Sequence, residues 1–128
     1  MTRPQVRRMS AALGAGAIVF GVAPAALPTF FGRVLGIACA DNRTVATAIR
    51  SVGVRDLVIG LALVRAARRG DDADLRRWLL ARTVSEAGDA LGGSLGVLQG
   101  ERDRRFLVLG ALAAGAFAFG AFLCRAAR

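Results

Sequence analysis

Arg82, Glu86 and Asp89 follow one another at i, i+4 and i+7, a spacing that puts three charges on one face of a helix. Arg50, Arg55 and Asp56 stand in a second apolar stretch upstream. These six residues, three of each sign, form a candidate polar pocket. A carboxylate can exchange a proton, whereas a guanidinium holds anions and keeps its charge. The chain has no His and no Tyr, so acid–base work would fall to Asp, Glu or Cys. Ser-His and Cys-His pairs are excluded, and no cluster has metal-ligand spacing. No metal and no cofactor is expected.

The elements that must position these six charges are apolar. Hydrophobic residues make up 55% of the 128 positions, with a mean hydropathy of +0.49. Residues 9–32 carry no charge over 24 positions, and residues 106–124 carry none over 19. A run of about 18 or more such residues is long enough to cross a bilayer core as a helix. With the two charged stretches between them, the pattern predicts an all-α fold, a four-transmembrane-helix bundle forming one domain over residues 1–128. The expected helices cover about 9–31, 44–65, 75–99 and 105–125. Pro24 is expected to kink the first helix and Pro28 to end it. Asp41 or Asn42 is expected to cap the second helix and Asp74 the third.

Net charge is +9, all from arginine, since there is no lysine. Such a charge could signify nucleic acid, but the arginines flank apolar runs, and no phosphate loop or RNP-like aromatic motif is present. Nucleic acid is therefore not an expected partner; a lipid bilayer is. With the N-terminus cytoplasmic, the inner segments hold ten arginines, including Arg125 and Arg128, and the outer connections hold five. Positive charge concentrates on the cytoplasmic side, so both termini are expected there, in the cell membrane. Were the charged hairpin not inserted, thirteen arginines would lie outside and five inside, against the same rule. A second reading of residues 1–25 is a cleaved signal peptide, with Ala23-Pro24-Ala25 as its cleavage site.

Small residues recur at helix-contact spacing. Gly88, Gly92 and Gly96 fall four apart in the third helix, and Gly110, Ala114 and Ala118 in the fourth. In a bilayer such stripes let backbones approach. They are expected to pack inside one bundle, with a homodimer as the other reading.

A charged residue at a bilayer centre costs roughly 2.5–3.5 kcal/mol, so six must pair, face a wet cavity or neutralise. Counting rise from the intervening turn puts Arg55 and Glu86 both about 15 Å deep, and Arg50 and Asp89 at about 22 and 20 Å. Arg55 is accordingly expected to face Glu86 or Asp89, while Arg50 points away from its neighbours. Cys39 and Cys124 fall at opposite ends and are not expected to pair.

Residues 28–36 (PTFFGRVLG), residues 50–60 (RSVGVRDLVIG) and residues 86–89 (EAGD) resemble an uncharacterised family of small four-helix membrane proteins. It is the domain-of-unknown-function family 4267, DoxX-like in architecture. The resemblance implies the fold and a membrane location, and it brings no activity. Glycine-rich, lysine-free composition points to a GC-rich bacterial source. Two functions follow as expectations. The first is a non-enzymatic bundle that binds a hydrophobic ligand or a membrane partner protein, with a buried Arg/acid layer. The alternative is a small membrane enzyme or carrier using Glu86 or Asp89 as acid/base and Arg55 or Arg82 as anion holder.

Overall fold

The computed structural model describes residues 1–37, 39–100 and 102–127; Arg128, one of the inner arginines counted above, lies outside them. The described residues are helical, with no strand: α1 (Arg3–Ala26), α2 (Pro28–Val34), α3 (Arg43–Arg69), α4 (Asp72–Leu98) and α5 (Arg104–Ala126). Each helix start has a local cause. The Gln5 side chain accepts from Thr2 N–H at 2.9 Å, closing a capping box at the head of α1. Asn42 caps α3 by accepting from Thr44 N–H at 2.9 Å. Asp71, not the expected Asp74, caps α4, accepting from Ala73 and Asp74 N–H at 3.0 and 2.9 Å. The helix begins at Asp72, so Asp74 already lies within its first turn. Asp103 caps α5 through Arg105 N–H at 2.8 Å.

The first helix departs from its expected bounds. It starts at Arg3, because the arginine-rich lead-in suits a helix. It ends at Ala26, since Pro28 disfavours helical geometry at Leu27 and then opens α2 as its first residue. Gly70 closes α3 in the left-handed region at φ 75°, where glycine pays no side-chain penalty. Arg7 fastens this turn. It donates to Gly70 O at 2.8 Å and to Asp72 Oδ1 at 2.7 and 3.1 Å, and its hydrogen bonds hold the Asp72 carboxyl below its usual range.

Packing is unequal around the bundle. α1 lies most extensively against α3, and α4 against α5, while α3 meets α4 over a smaller area. The main core sits at the α3–α4 turn end: Val6, Leu63, Ala66, Leu75, Leu79 and Leu123, with Trp78 and Phe119 against them. Large apolar side chains point outward on every long helix, among them Val19, Val58, Leu61, Leu80, Val84, Leu112 and Phe122. α1 and α5 are long and apolar enough to cross a membrane. α3 and α4, at 27 residues each, are longer but carry the charges.

Candidate functional site: an ionic chain at the end of an apolar cavity

On α4, Arg82 and Glu86 come one and two turns beyond the core residue Leu79. On α3, Asp56 and Arg55 come about two turns from Leu63. There the packing changes from apolar to ionic. Arg55 grips Asp89 with both terminal nitrogens, Nη1 to Oδ1 at 3.0 Å and Nη2 to Oδ2 at 2.7 Å. It also donates to Asp56 Oδ1 from Nε at 3.2 Å and from Nη2 at 3.0 Å. Arg82 Nη1 donates to the same Asp56 Oδ1 at 2.9 Å, and Arg82 Nη2 pairs with Glu86 Oε1. The result is a continuous chain, Asp89–Arg55–Asp56–Arg82–Glu86, that joins α3 to α4.

Its inner members are deeply placed: Asp56, Arg82 and Glu86 are 3%, 6% and 4% exposed. Arg55 and Asp89 are half-buried. The matched depths of Arg55 and Glu86 do not make them partners. The long Arg55 side chain reaches the next turn of α4 and takes Asp89 in a two-pronged bond, which fits a planar guanidinium.

Arg50 does not join the chain. It is exposed, and its Nε donates to Ala25 O at the end of α1, 3.2 Å away. Five residues separate it from Arg55, which turns it to another side of α3. The expected balance of three charges against three is thereby corrected. The chain holds two arginines and three carboxylates.

A cavity of about 830 Å³ opens beside this chain. Asp56, Arg82, Glu86 and Asp89 line its polar part. The rest is apolar, supplied by all five helices, and includes Phe20, Phe31, Phe106 and Phe119. Phe20 and Phe31 meet edge to face, with ring centres 5.4 Å apart. Arg82 Nε, buried, has no hydrogen-bond partner among the described residues. A buried donor left unpaired costs about 1–3 kcal/mol.

The glycine stripe also falls differently from expectation. A Cβ at Gly88 or Gly92 would meet nothing within 4 Å, and both glycines line the cavity instead of a helix contact. On α5, Ala114 and Ala118 are exposed. The α4–α5 contact runs through Gly93 against Gly110 and Thr83 against Gly120, ten residues apart on each helix. The closest backbone approach is elsewhere, between α1 and α3. A Cβ at Gly14 would lie 2.8 Å from Gly60 O, and one at Gly21 2.7 Å from Gly53 O. These pairs do not fall at spacings of four. Their signal is a spacing of seven, present in both segments: Gly14 to Gly21, and Gly53 to Gly60.

Cys39 and Cys124 are both free thiols. No group of His, Cys, Asp and Glu among the described residues has the arrangement of a metal site. Compared with known proteins, the chain matches no family model, no curated protein and no solved structure.

Proposed function

We propose that this chain is a small integral membrane protein that binds an amphiphilic, lipid-like molecule. Its tail lies in the apolar cavity, and its head group lies against the ionic chain. One observation carries this reading: an apolar space of about 830 Å³ ends on Asp56, Arg82, Glu86 and Asp89. Tight pairing without a void would have left the charges a purely structural layer. Here the pairing and the void occur together. The unpaired Arg82 Nε marks a place for an oxygen of the head group.

The membrane part of the proposal rests on several supports. The most apolar windows of α1 and α5 are only 28% and 11% buried, unlike the core helices of water-soluble folds. Outward apolar side chains on α3 and α4 extend the same surface around the bundle. We read α1, α3, α4 and α5 as four spans with both termini cytoplasmic, in keeping with the arginine distribution. This is also the architecture implied by the resemblance to family 4267. Retention of α1 fits better than cleavage, since Gly53 and Gly60 are shaped to its backbone. The carrier or enzyme alternative has less support, because the terminal nitrogens of Arg55 and Arg82 are already held by carboxylates.

Native mass spectrometry of the protein in nanodiscs tests the ligand. A small molecule should co-purify with the native chain. It should be lost in Gly92→Phe, which fills the cavity, while the helical signal and melting temperature persist. A ligand-free native protein, or a ligand indifferent to Gly92→Phe, would overturn the reading. Reporter fusions at Gly100 and at the C-terminus should report opposite sides of the membrane. The same side for both would overturn the topology.

A further inference from the structure

Among the described residues that line the cavity, Arg82 is the cation, and its two terminal nitrogens are committed. Nη1 donates to Asp56 Oδ1, and Nη2 pairs with Glu86 Oε1. Nε is a third donor, without a partner among the described residues, on a side chain that is nine-tenths buried. Buried donors in folded proteins are almost always satisfied, so this one calls for an acceptor from outside the chain. The carboxylates on either side have acceptor capacity left. Asp56 takes its hydrogen bonds from both arginines through Oδ1, and Glu86 meets Arg82 through Oε1. Oδ2 of Asp56 and Oε2 of Glu86 are therefore left to accept a proton donor.

Each kind of head group meets this wall differently. An ammonium has no lone pair to offer Nε–H and leaves that donor stranded. An anion can accept from Nε, but it enters beside three carboxylates that are answered by only two arginines, and at short range in an apolar setting that repulsion is large. An ether or ketone oxygen accepts from Nε and gives nothing to the carboxylates. A hydroxyl does both, because it has lone pairs to accept with and one proton to donate. Its bonds to a guanidinium and to a carboxylate are both assisted by charge, and it adds no charge of its own to the cavity.

We infer that the amphiphile accepted by this cavity is uncharged and ends in a hydroxyl, as in a long-chain alcohol or a monoglyceride. The hydroxyl oxygen accepts from Arg82 Nε, and its O–H donates to Glu86, which has one arginine partner where Asp56 has two. The tail lies along the apolar wall. This inference rests on the amphiphile-binding reading above and adds the chemical class of the head group.

Four radiolabelled probes with one common tail separate the two claims: dodecanol, dodecyl methyl ether, dodecyl sulfate and dodecyltrimethylammonium. Each is titrated into the full chain in phosphatidylcholine nanodiscs, with empty discs as the partitioning control. Dodecanol should bind saturably. The methyl ether keeps the acceptor and loses the donor, and should bind about 10-fold more weakly, the value of one hydrogen bond to a charged group. The sulfate and the ammonium should bind more weakly than the ether. In Glu86→Gln an amide N–H₂ can replace the free carboxylate oxygen, so the advantage of alcohol over ether should shrink towards one while ether binding holds. The probe comparison uses the native chain, and it decides the matter alone if Glu86→Gln fails to fold by circular dichroism. Equal binding of alcohol and ether, or preference for either ion over the alcohol, would overturn the hydroxyl inference and leave the cavity reading standing. So would an alcohol-to-ether ratio unchanged in folded Glu86→Gln. No saturable binding of any probe would remove the cavity reading itself.

Discussion

Helix α3 is joined to α1 and to α4 by opposite means. Against α1 it presents Gly53 and Gly60, and the two backbones touch with no space for a methyl group. Against α4 it presents Arg55 and Asp56, and long charged side chains bridge the gap. The first seam is closed at Gly14, Gly21, Gly53 and Gly60. The second borders the cavity, to whose lining all five helices contribute. The contrast teaches that one helix can be anchored backbone to backbone on one side and by long charged side chains on the other.

Breaking the ionic seam at its centre should have the largest effect. Arg82→Met strands Glu86 and takes one of the two arginines from Asp56, both carboxylates being nearly inaccessible, and should destabilise the bundle by about 3–5 kcal/mol. Thermal melts of detergent-solubilised protein would show it. An unchanged melting temperature would mean that the carboxylates are neutral or solvated.

The dry seam comes next. In Gly53→Ala the new Cβ lies 2.7 Å from Gly21 O and meets the Ala25 nitrogen still more closely, and backbone atoms cannot rotate away. We expect a loss of about 1–3 kcal/mol from overpacking. Gly92→Ala, in the same kind of helix but facing open space, should instead gain about 0.5–1 kcal/mol by helix propensity. The comparison lies in the opposite signs. Two losses of similar size would mean that the cavity wall is as closed as the α1–α3 seam.

The half-buried arm of the ionic seam should be worth less. A double-mutant cycle of Arg55→Met with Asp89→Asn should give a coupling of about 1 kcal/mol or more, since the pair is two-pronged yet partly solvated. The same cycle with Glu86→Gln should be close to additive. A larger coupling to Glu86 would exchange the partners and move Arg55 deeper into the cavity wall.

The smallest effect is expected at the turn that both seams share. Asp72 is paired with Arg7, so its carboxyl titrates below the ordinary value of 3.8. A depressed acid contributes stability above its unfolded value and loses it as pH falls through the folded one. The melting temperature should therefore fall below about pH 4, with a shallower fall in Asp72→Asn. Parallel pH curves for the two proteins would remove the Arg7–Asp72 contribution.

Much of this architecture is legible in one dimension. Apolar runs and a turn at Gly70-Asp71 specify helices, because helical periodicity and capping are local properties. Arg82, Glu86 and Asp89 share a face for the same reason. Less legible was the break at Leu27, where the proline both ends one helix and starts another. The stripe at Gly88, Gly92 and Gly96 was legible as a spacing but not as a contact, since a glycine packs only where another helix comes close.

By itself, the sequence determined the helices, the placement of six charges within apolar segments and the need for those charges to find partners. Only the tertiary structure decided which partners they found. Arg55 took Asp89, Arg82 took both Asp56 and Glu86, and Arg50 was sent to Ala25 O. The physical reason is that rise and angle along a helix follow from residue number, whereas the rotation of one helix against another follows from packing. Here the glycine contacts with α1 set the rotation of α3, and that rotation leaves two arginines facing three acids beside an apolar cavity.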